Sequence, residues 1–282
     1  MRAALRLVRA GNVLVSFVGT VVGALAARAI GVRLSPELWL LVLLAAASTG
    51  AVTAAGNVLN DVGDLEGDRR NHPDRPLVTG EVSVLGARRL TVGLFLAGVV
   101  LAVPVVLAEP LVGALLAVAI AALLAYELGG KARGLVGNLT VGLLTALVFL
   151  YGGAAVGRPW TVLPFAAMAF LATLSREVIK DMEDVAGDTG RSTVPKRYGM
   201  ATAAALARGS VGGAIALSVV PFLWYLSLAS AAGLAYAAVV AVADVVFVLS
   251  VLQLPARLHF EQTVSKGAMA LALGAFLAVA FR

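Results

Sequence analysis

Apolar residues fill nine long segments of the chain, and polar residues are concentrated in the short stretches between them. A helix that crosses a bilayer needs about 20 mostly apolar residues. The pattern predicts an all-α, polytopic membrane protein, a single domain over residues 1–282 in which nine transmembrane helices form a bundle around a central cavity. The predicted spans are residues 12–31, 38–60, 90–108, 110–128, 135–156, 160–180, 201–224, 232–253 and 264–281.

The basic residues predict how this bundle is oriented. With nine spans, the N-terminus and the loops after the even-numbered spans lie on one side. That side holds all of the 22 Lys and Arg residues except Arg28, Arg33, Arg158 and Arg282. Because basic loops remain in the cytoplasm, we expect a cell-membrane protein with a cytoplasmic N-terminus and a C-terminus on the outer side.

Composition narrows the class of protein further. The chain is 60% hydrophobic and 13% charged, whereas a soluble domain is about half apolar and a quarter charged. A net charge of +6 is compatible with nucleic acid, but membrane topology explains the basic loops better, so no nucleic-acid partner is expected. The absence of Cys excludes disulfides, thiolate metal sites and cysteine nucleophiles. No obligate protein partner is implied.

Two acidic clusters with the same spacing stand at the ends of the second and sixth predicted spans. Each residue of the first cluster has a counterpart 120 positions later: Asn57, Asp61, Asp64 and Asp68 correspond to Glu177, Asp181, Asp184 and Asp188. Within a cluster the carboxylates fall at i, i+3 and i+7, positions that share one face of a helix. The repeat predicts equivalent roles for the two spans; the alternative is two solvated helix ends, at which acidic residues are common.

Carboxylates on one helix face repel one another unless a cation lies between them. Their oxygens are ligands that suit Mg²⁺, which binds one or two carboxylates and completes its shell with water and substrate phosphate. Asp61, Asp64, Asp68, Asp181, Asp184 and Asp188 are therefore the predicted metal ligands. Two such clusters can hold one diphosphate between them, and the diphosphate substrate expected inside a membrane is a prenyl diphosphate that loses its leaving group to form an allylic carbocation.

Basic and amide side chains near the clusters are candidates for binding the substrates. Arg and Lys groups suit phosphate oxygens, although any of them can instead be a topogenic charge. Lys180 directly precedes Asp181. Glu177 is a candidate for the base that removes the proton of the acceptor, and the alternative is that it orients a Lys or Arg side chain. The candidate substrate-binding residues are Asn12, Asn57, Asn60, Arg69, Arg75, Tyr126, Lys131, Asn138 and Arg197.

The motifs resemble those of the UbiA superfamily of intramembrane prenyltransferases. The first motif runs through Asn60-Asp61-x-x-Asp64-x-x-x-Asp68 to Asp74-Arg75-Pro76 and Thr79-Gly80. The second runs from Asp184-x-x-x-Asp188 to Val194-Pro195 and Tyr198-Gly199. The resemblance covers nearly the whole chain. It implies a nine-helix bundle, Mg²⁺ as cofactor, and transfer of a prenyl group from a prenyl diphosphate to a lipid acceptor in the bilayer.

Within that superfamily, residues 56–61, 71–76 and 175–188 are similar to one branch in particular. That branch transfers a geranylgeranyl group to the free hydroxyl of geranylgeranylglycerol phosphate, which forms the second ether bond of archaeal-type lipids. Gly63 and His72 depart from its pattern, but neither is a predicted ligand. The alternative within the superfamily is an aromatic or quinone-precursor acceptor.

Two other classes of membrane protein also contain acidic residues. CDP-alcohol phosphotransferases have an Asp-Gly motif that neither cluster here contains. A transporter would place its ion site near the midplane of the membrane, where only Asp244 is found. We expect Asp244 to form a structural ion pair with Arg208 or Lys266, and Tyr151 either to face a cation or to lie at the membrane interface.

Overall fold

The computed structural model describes residues 2–26, 31–130, 134–186 and 192–279, and the regular structure within them is entirely helical. In chain order the helices are α1 (Arg2–Leu7), α2 (Ala10–Ala26), α3 (Pro36–Gly63), α4 (Leu65–Asn71), α5 (Val84–Ala108), α6 (Pro110–Ala125), α7 (Leu135–Ala154), α8 (Leu163–Glu183), α9 (Val194–Tyr198), α10 (Met200–Leu217), α11 (Val220–Trp224), α12 (Ala231–Leu252) and α13 (Leu258–Ala278). The all-α class is confirmed.

Among the described residues, seven helical segments are long and apolar enough to cross a membrane. They are α3, α5, α6 with the π-helical turn Tyr126–Gly130, α7, α8 with the preceding 3-10 turn Pro159–Val162, α10 continued by α11, and α12. The first and ninth predicted spans are also helical, as α2 and α13. However, α2 has only 17 residues, and α13 includes His259, Glu261 and Lys266. The count of nine spans therefore stays a prediction.

Serine and proline residues begin several of the long helices. Ser35, Ser83 and Ser230 each accept a hydrogen bond from a backbone N–H of the first turn, which satisfies a donor that has no partner within the helix. Proline occupies the first turn of α3 and α6, where its missing N–H costs nothing. The predicted starts of α6 and α7, at residues 110 and 135, agree with the structure, whereas α5 begins at Val84, six residues before its predicted start.

The helices form two halves, α2–α6 and α7–α13, which meet chiefly at α2 and α7. Helix α3 packs against α5 in the first half, and α8 packs against α10 in the second, while α2 contacts both α3 and α7. Glycines allow the backbones of α2 and α7 to approach closely. A methyl group on Gly152 would lie 1.9 Å from the carbonyl oxygen of Thr20, and one on Gly23 would lie 2.3 Å from that of Phe149.

The two halves leave different helices facing lipid. In α8, which carries the second acidic cluster, 67% of the apolar 18-residue segment is buried, whereas in α6 only 11% is buried. Leu96, Val100 and Leu107 on α5 are among the exposed large apolar side chains. Because lipid solvates such side chains, α5 and α6 lie at the periphery and α8 lies inside the bundle.

Candidate active site

The first acidic cluster lies where α3 gives way to α4. Asp61 belongs to the last turn of α3, Asp64 ends that helix, and Asp68 lies in α4. The three carboxylates are therefore not on one uninterrupted helix, because the chain turns at Asp64. Asp61 and Asp68 are nevertheless buried, at 3% and 6% exposure, and both contact the same arginine.

Two arginines form ion pairs with the buried aspartates of this cluster. The Arg75 guanidinium is 3.3 Å from Asp61 Oδ1 and also contacts Asp68 Oδ2, while Arg9 Nη2 is 2.6 Å from Asp61 Oδ1. Burial raises the pKa of the Asp68 carboxyl above its usual value, and the charge of Arg75 acts in the opposite direction. Arg75 was among the predicted substrate-binding residues, and the structure places it between two of the predicted ligands.

Arg9 was not among the residues predicted to belong to the site. It belongs to a run of basic residues before the first span, where the positive-inside rule accounts for any single charge. Arg9 is 52 positions from Asp61, so no local spacing links the two residues. Arg6 of the same segment pairs with Glu81 and lowers the pKa of that carboxyl from its usual value. Only the folding of the N-terminal segment onto α3 reveals these contacts.

The predicted amide residues have different surroundings. Asn60 Nδ2 donates to Asp64 Oδ2 at 3.1 Å, and Asn57 Nδ2 donates to the backbone carbonyl of Val8 at 2.9 Å. Asn138 Nδ2 of α7 donates to Asp181 Oδ2 of α8 at 2.8 Å, so this amide links two spans at the second cluster. Asn12 is exposed on α2. Asn60 and Asn138 are thus in direct contact with predicted ligands.

The second cluster lies where α8 ends. Asp181 is half-buried in its last turns, and Asp184 is exposed where a short 3-10 turn begins. Lys180 is half-buried beside Asp181. Glu177, predicted as a proton acceptor or a partner for a basic residue, is 2.7 Å from Arg176 Nη1. Asp188 lies outside the described residues, and so does Lys131.

The backbone repeats the 120-residue offset of the two clusters. Helix α3 ends at Gly63 and α8 at Glu183, and the next residue in each case is an aspartate. The N–H of Asp64 donates to the carbonyl of Asn60, and that of Asp184 donates to the carbonyl of Lys180. Both motifs also contain a glycine with positive φ, Gly80 at 78° and Gly199 at 88°, although these two residues are 119 positions apart. The repeat therefore extends from spacing to local conformation.

The structure puts the remaining predicted residues in more exposed or unrelated positions. Arg69 is exposed and 3.5 Å from Glu66, and Arg197 is exposed with its guanidinium 5.3 Å from the ring centre of Tyr198. Tyr126 begins the π-helical turn after α6 and is half-buried. None of these contacts joins a residue of the first cluster to one of the second.

The structure contradicts the ion pair expected for Asp244 and the interfacial position considered for Tyr151. Asp244 accepts a hydrogen bond of 2.9 Å from Ser218, whereas Arg208 binds the carbonyl oxygens of Val251 and Leu254 and Lys266 is exposed. A neutral hydroxyl partner therefore replaces the expected ion pair. Tyr151 is 3% exposed, with its hydroxyl 3.2 Å from that of Ser48. Its ring is packed in the core and does not lie at the membrane interface.

The donor set suits Mg²⁺, although the acids do not form a compact cage. Within the described part of the chain, no three His, Asp or Glu side chains form a group that could hold a metal ion. Mg²⁺ does not need such a group, because it retains water and binds substrate phosphate beside one or two carboxylates. Both arginines bind Oδ1 of Asp61, and no described group donates to its Oδ2. That oxygen fits a hard divalent cation.

Comparison with known proteins identifies the class. The UbiA prenyltransferase family matches residues 16–280. The chain therefore belongs to the UbiA prenyltransferase family and is a prenyltransferase and a multi-pass membrane protein.

Individual relatives and solved structures are similar to this chain over most of its length. It is 38% identical to a digeranylgeranylglyceryl phosphate synthase of Methanoculleus marisnigri over 249 residues, which are 86% of this chain and 83% of that protein. A solved structure from work on digeranylgeranylglyceryl phosphate synthase in membranes is 28% identical, with a TM-score of 0.79, and covers 99% of this chain and 98% of that one. A UbiA homologue from Archaeoglobus fulgidus, bound to GPP and Mg²⁺, shares the fold at 17% identity and a TM-score of 0.62, over 99% of this chain and all of that chain.

Proposed function

We propose that this protein transfers a geranylgeranyl group from geranylgeranyl diphosphate to the free hydroxyl of geranylgeranylglycerol phosphate, in a reaction that depends on Mg²⁺. The observation that carries the proposal is the shared name of the relatives. Proteins 35–42% identical to this chain are called digeranylgeranylglyceryl phosphate synthase. The solved structure that is 28% identical and matches almost end to end supports the same acceptor.

The two acidic helix ends are proposed to hold the diphosphate of the donor. Asp61, Asp64, Asp68, Asp181, Asp184 and Asp188 would hold Mg²⁺, as the hard oxygen donors and the Mg²⁺-bound homologue support. When bound, the metal neutralises charge on the leaving diphosphate. Arg75 and Lys180 would contact the phosphate oxygens, and Asn60 and Asn138 would orient Asp64 and Asp181, to which they donate hydrogen bonds.

In the reaction, the bond between the allylic carbon and the diphosphate oxygen breaks, and a bond from that carbon to the acceptor oxygen forms. The hydroxyl proton leaves with the formation of the ether. Glu177 is the proposed acceptor of that proton, and its carboxylate contacts Arg176. The remaining candidates, Asn12, Asn57, Arg69, Tyr126, Lys131 and Arg197, are proposed to contact one of the two substrates.

The proposed arrangement in the membrane follows from the loop charges. A single domain of nine spans, with α2 and α13 as the first and the last, would place both acidic helix ends on the cytoplasmic side. The diphosphate and the glycerol phosphate would then lie at the cytoplasmic interface, and the prenyl chains would extend into the central cavity or toward lipid. This arrangement gives the charged groups access to water and the chains access to hydrocarbon.

The testing experiment uses purified protein, Mg²⁺ and radiolabelled geranylgeranyl diphosphate. Geranylgeranylglycerol phosphate and 4-hydroxybenzoate are offered separately, and the lipid products are resolved. We expect the label to move to the glycerol lipid and the transfer to stop when EDTA removes the metal. Transfer to the aromatic acid alone, or to neither acceptor, would overturn the proposed acceptor, and transfer that survives EDTA would overturn the metal requirement.

A further inference from the structure

Each residue of the N-terminal segment Arg6–Arg9 contacts α3, α5 or the chain between α4 and α5. Arg6 contacts Glu81 and the carbonyl oxygen of Asp74, and Leu7 is fully buried against Val58, Leu77 and Ala87. The carbonyl of Val8 accepts a hydrogen bond from Asn57, and Arg9 binds Asp61. A segment that served only as a topogenic charge would need none of these specific contacts.

Arg9 has a backbone conformation that is unusual for its residue type. Its φ is 52°, and it is the only described residue other than glycine with a positive φ. L-residues rarely adopt this region, and such outliers persist where the surrounding structure requires them. Here the conformation turns the chain between α1 and α2, and the carbonyl of Arg9 accepts the first hydrogen bonds of α2, from Asn12 and Val13. The turn brings the Arg9 side chain back onto the end of α3.

The contact with Asp61 is directional. Arg9 Nη2 lies 2.6 Å from Oδ1, and Arg75 binds the same oxygen at 3.3 Å. Among the described residues no group donates to Oδ2. Side chains that bind one oxygen of a ligand carboxylate hold the other oxygen in a fixed direction, and Mg²⁺ tolerates little deviation from octahedral geometry. Two arginines on Oδ1 therefore present Oδ2 as the free ligand atom.

We propose that Arg9 is a positioning residue of the donor site, which holds Asp61 by Oδ1 so that Oδ2 is directed at the Mg²⁺–diphosphate complex. The segment Arg6–Arg9, anchored by Leu7, places it there. This inference rests on the proposed function, since it assigns Asp61 to the metal. The Arg9 charge repels Mg²⁺ alone and attracts diphosphate, so the effect is expected when both are present.

The test measures the thermal unfolding temperature of the detergent-purified protein during titration with Mg²⁺ at a constant concentration of inorganic diphosphate, without acceptor. For Arg9→Gln we expect the Mg²⁺ concentration at half of the thermal shift to rise about 10-fold or more, in line with the loss of an outer partner of a metal ligand. Arg88→Gln is the matched control, because Arg88 is an exposed arginine on α5. It should leave the midpoint unchanged.

A conservative variant keeps the test decisive if Arg9→Gln does not fold. An ammonium group makes a single point contact in place of a guanidinium fork, so Arg9→Lys should also raise the Mg²⁺ midpoint, by less than Arg9→Gln does. A wild-type midpoint in the folded Arg9 variants would overturn the proposal. If the wild-type protein itself showed no shift with Mg²⁺ and diphosphate, the metal part of the proposed function would fail together with this inference.

Discussion

Asp61 and Asp184 are both predicted metal ligands, but their surroundings differ sharply. Asp61 is buried between the guanidinium groups of Arg9 and Arg75, whereas Asp184 is exposed where α8 ends. Neutralising Asp61 would leave two partly buried positive charges without their shared acceptor. Asp184 is exposed, so neutralising it should disturb the fold less. Stability should therefore depend more on Asp61 than on Asp184, whereas activity should depend on both.

We expect Asp61→Asn and Asp184→Asn each to lower kcat by about 10²-fold or more, the usual effect of removing one group that stabilises charge in a transition state. Asp61→Asn should also lower the free energy of unfolding by about 1–3 kcal/mol, whereas Asp184→Asn, at an exposed position, should lower it by less. Transfer assays and thermal unfolding in detergent measure the two effects.

The control for these variants is Glu66→Gln. Glu66 lies between Asp64 and Asp68 in the chain, but its side chain is 87% exposed and it is not a predicted ligand. It should retain both activity and stability. Wild-type activity in either aspartate variant would contradict the model in which both clusters hold metal.

At the scale of helices, the contact between α2 and α7 joins the two halves of the bundle. Gly23 and Gly152 allow backbone atoms of the two helices to meet, with no space for even a methyl group. This contact also supports the site, because α2 begins at the turn that carries Arg9 and α7 carries Asn138. The packing of α2 against α7 therefore helps to hold Arg9, which contacts the first acidic cluster, and Asn138, which contacts the second.

Gly152→Ala should destabilise the protein, because the added methyl group would lie 1.9 Å from the Thr20 carbonyl oxygen and the helices would have to separate. Overpacking of this kind costs about 1–3 kcal/mol. The expected result is a lower unfolding temperature and a lower yield of folded protein.

Gly209→Ala is the matched control in α10, since no atom lies within 4 Å of the position of its methyl group. It should stabilise α10 slightly or have no effect. Equal stability of the two variants would contradict this account of the contact.

At the scale of the whole molecule, orientation in the bilayer decides which solution reaches the acidic helix ends. Loop charges predict that the ends of α3 and α8 face the cytoplasm, and that the loop between α11 and α12 faces outward. The absence of Cys makes this prediction directly testable, because one introduced thiol is then the only reactive one.

In intact cells, a thiol reagent that cannot cross membranes should label Ser227→Cys, an exposed position between α11 and α12. It should label Arg89→Cys, an exposed position near the start of α5, only after the membrane is opened. Labelling of Arg89→Cys in intact cells would show that the side assignment is wrong. The Cys-free wild-type chain supplies the background.

The sequence by itself determined the helical class, most helix boundaries and the offset of 120 residues between the acidic clusters. Hydropathy and residue spacing are local properties of the chain, and they determine directly where a helix forms and which residues share its face. Short helices outside the spans, such as α4 and α9, were not predicted because a few polar residues carry no periodic apolar signal.

Only the tertiary structure decided which side chains meet. The pairing of Arg9 with Asp61, of Asn138 with Asp181 and of Ser218 with Asp244 joins residues 52, 43 and 26 positions apart. Such pairs depend on how helices turn and pack. From the sequence alone, many arginines or hydroxyls are equally plausible partners. Because the free energy of a charged contact depends on its surroundings in three dimensions, the fold selects one partner where the sequence allows several.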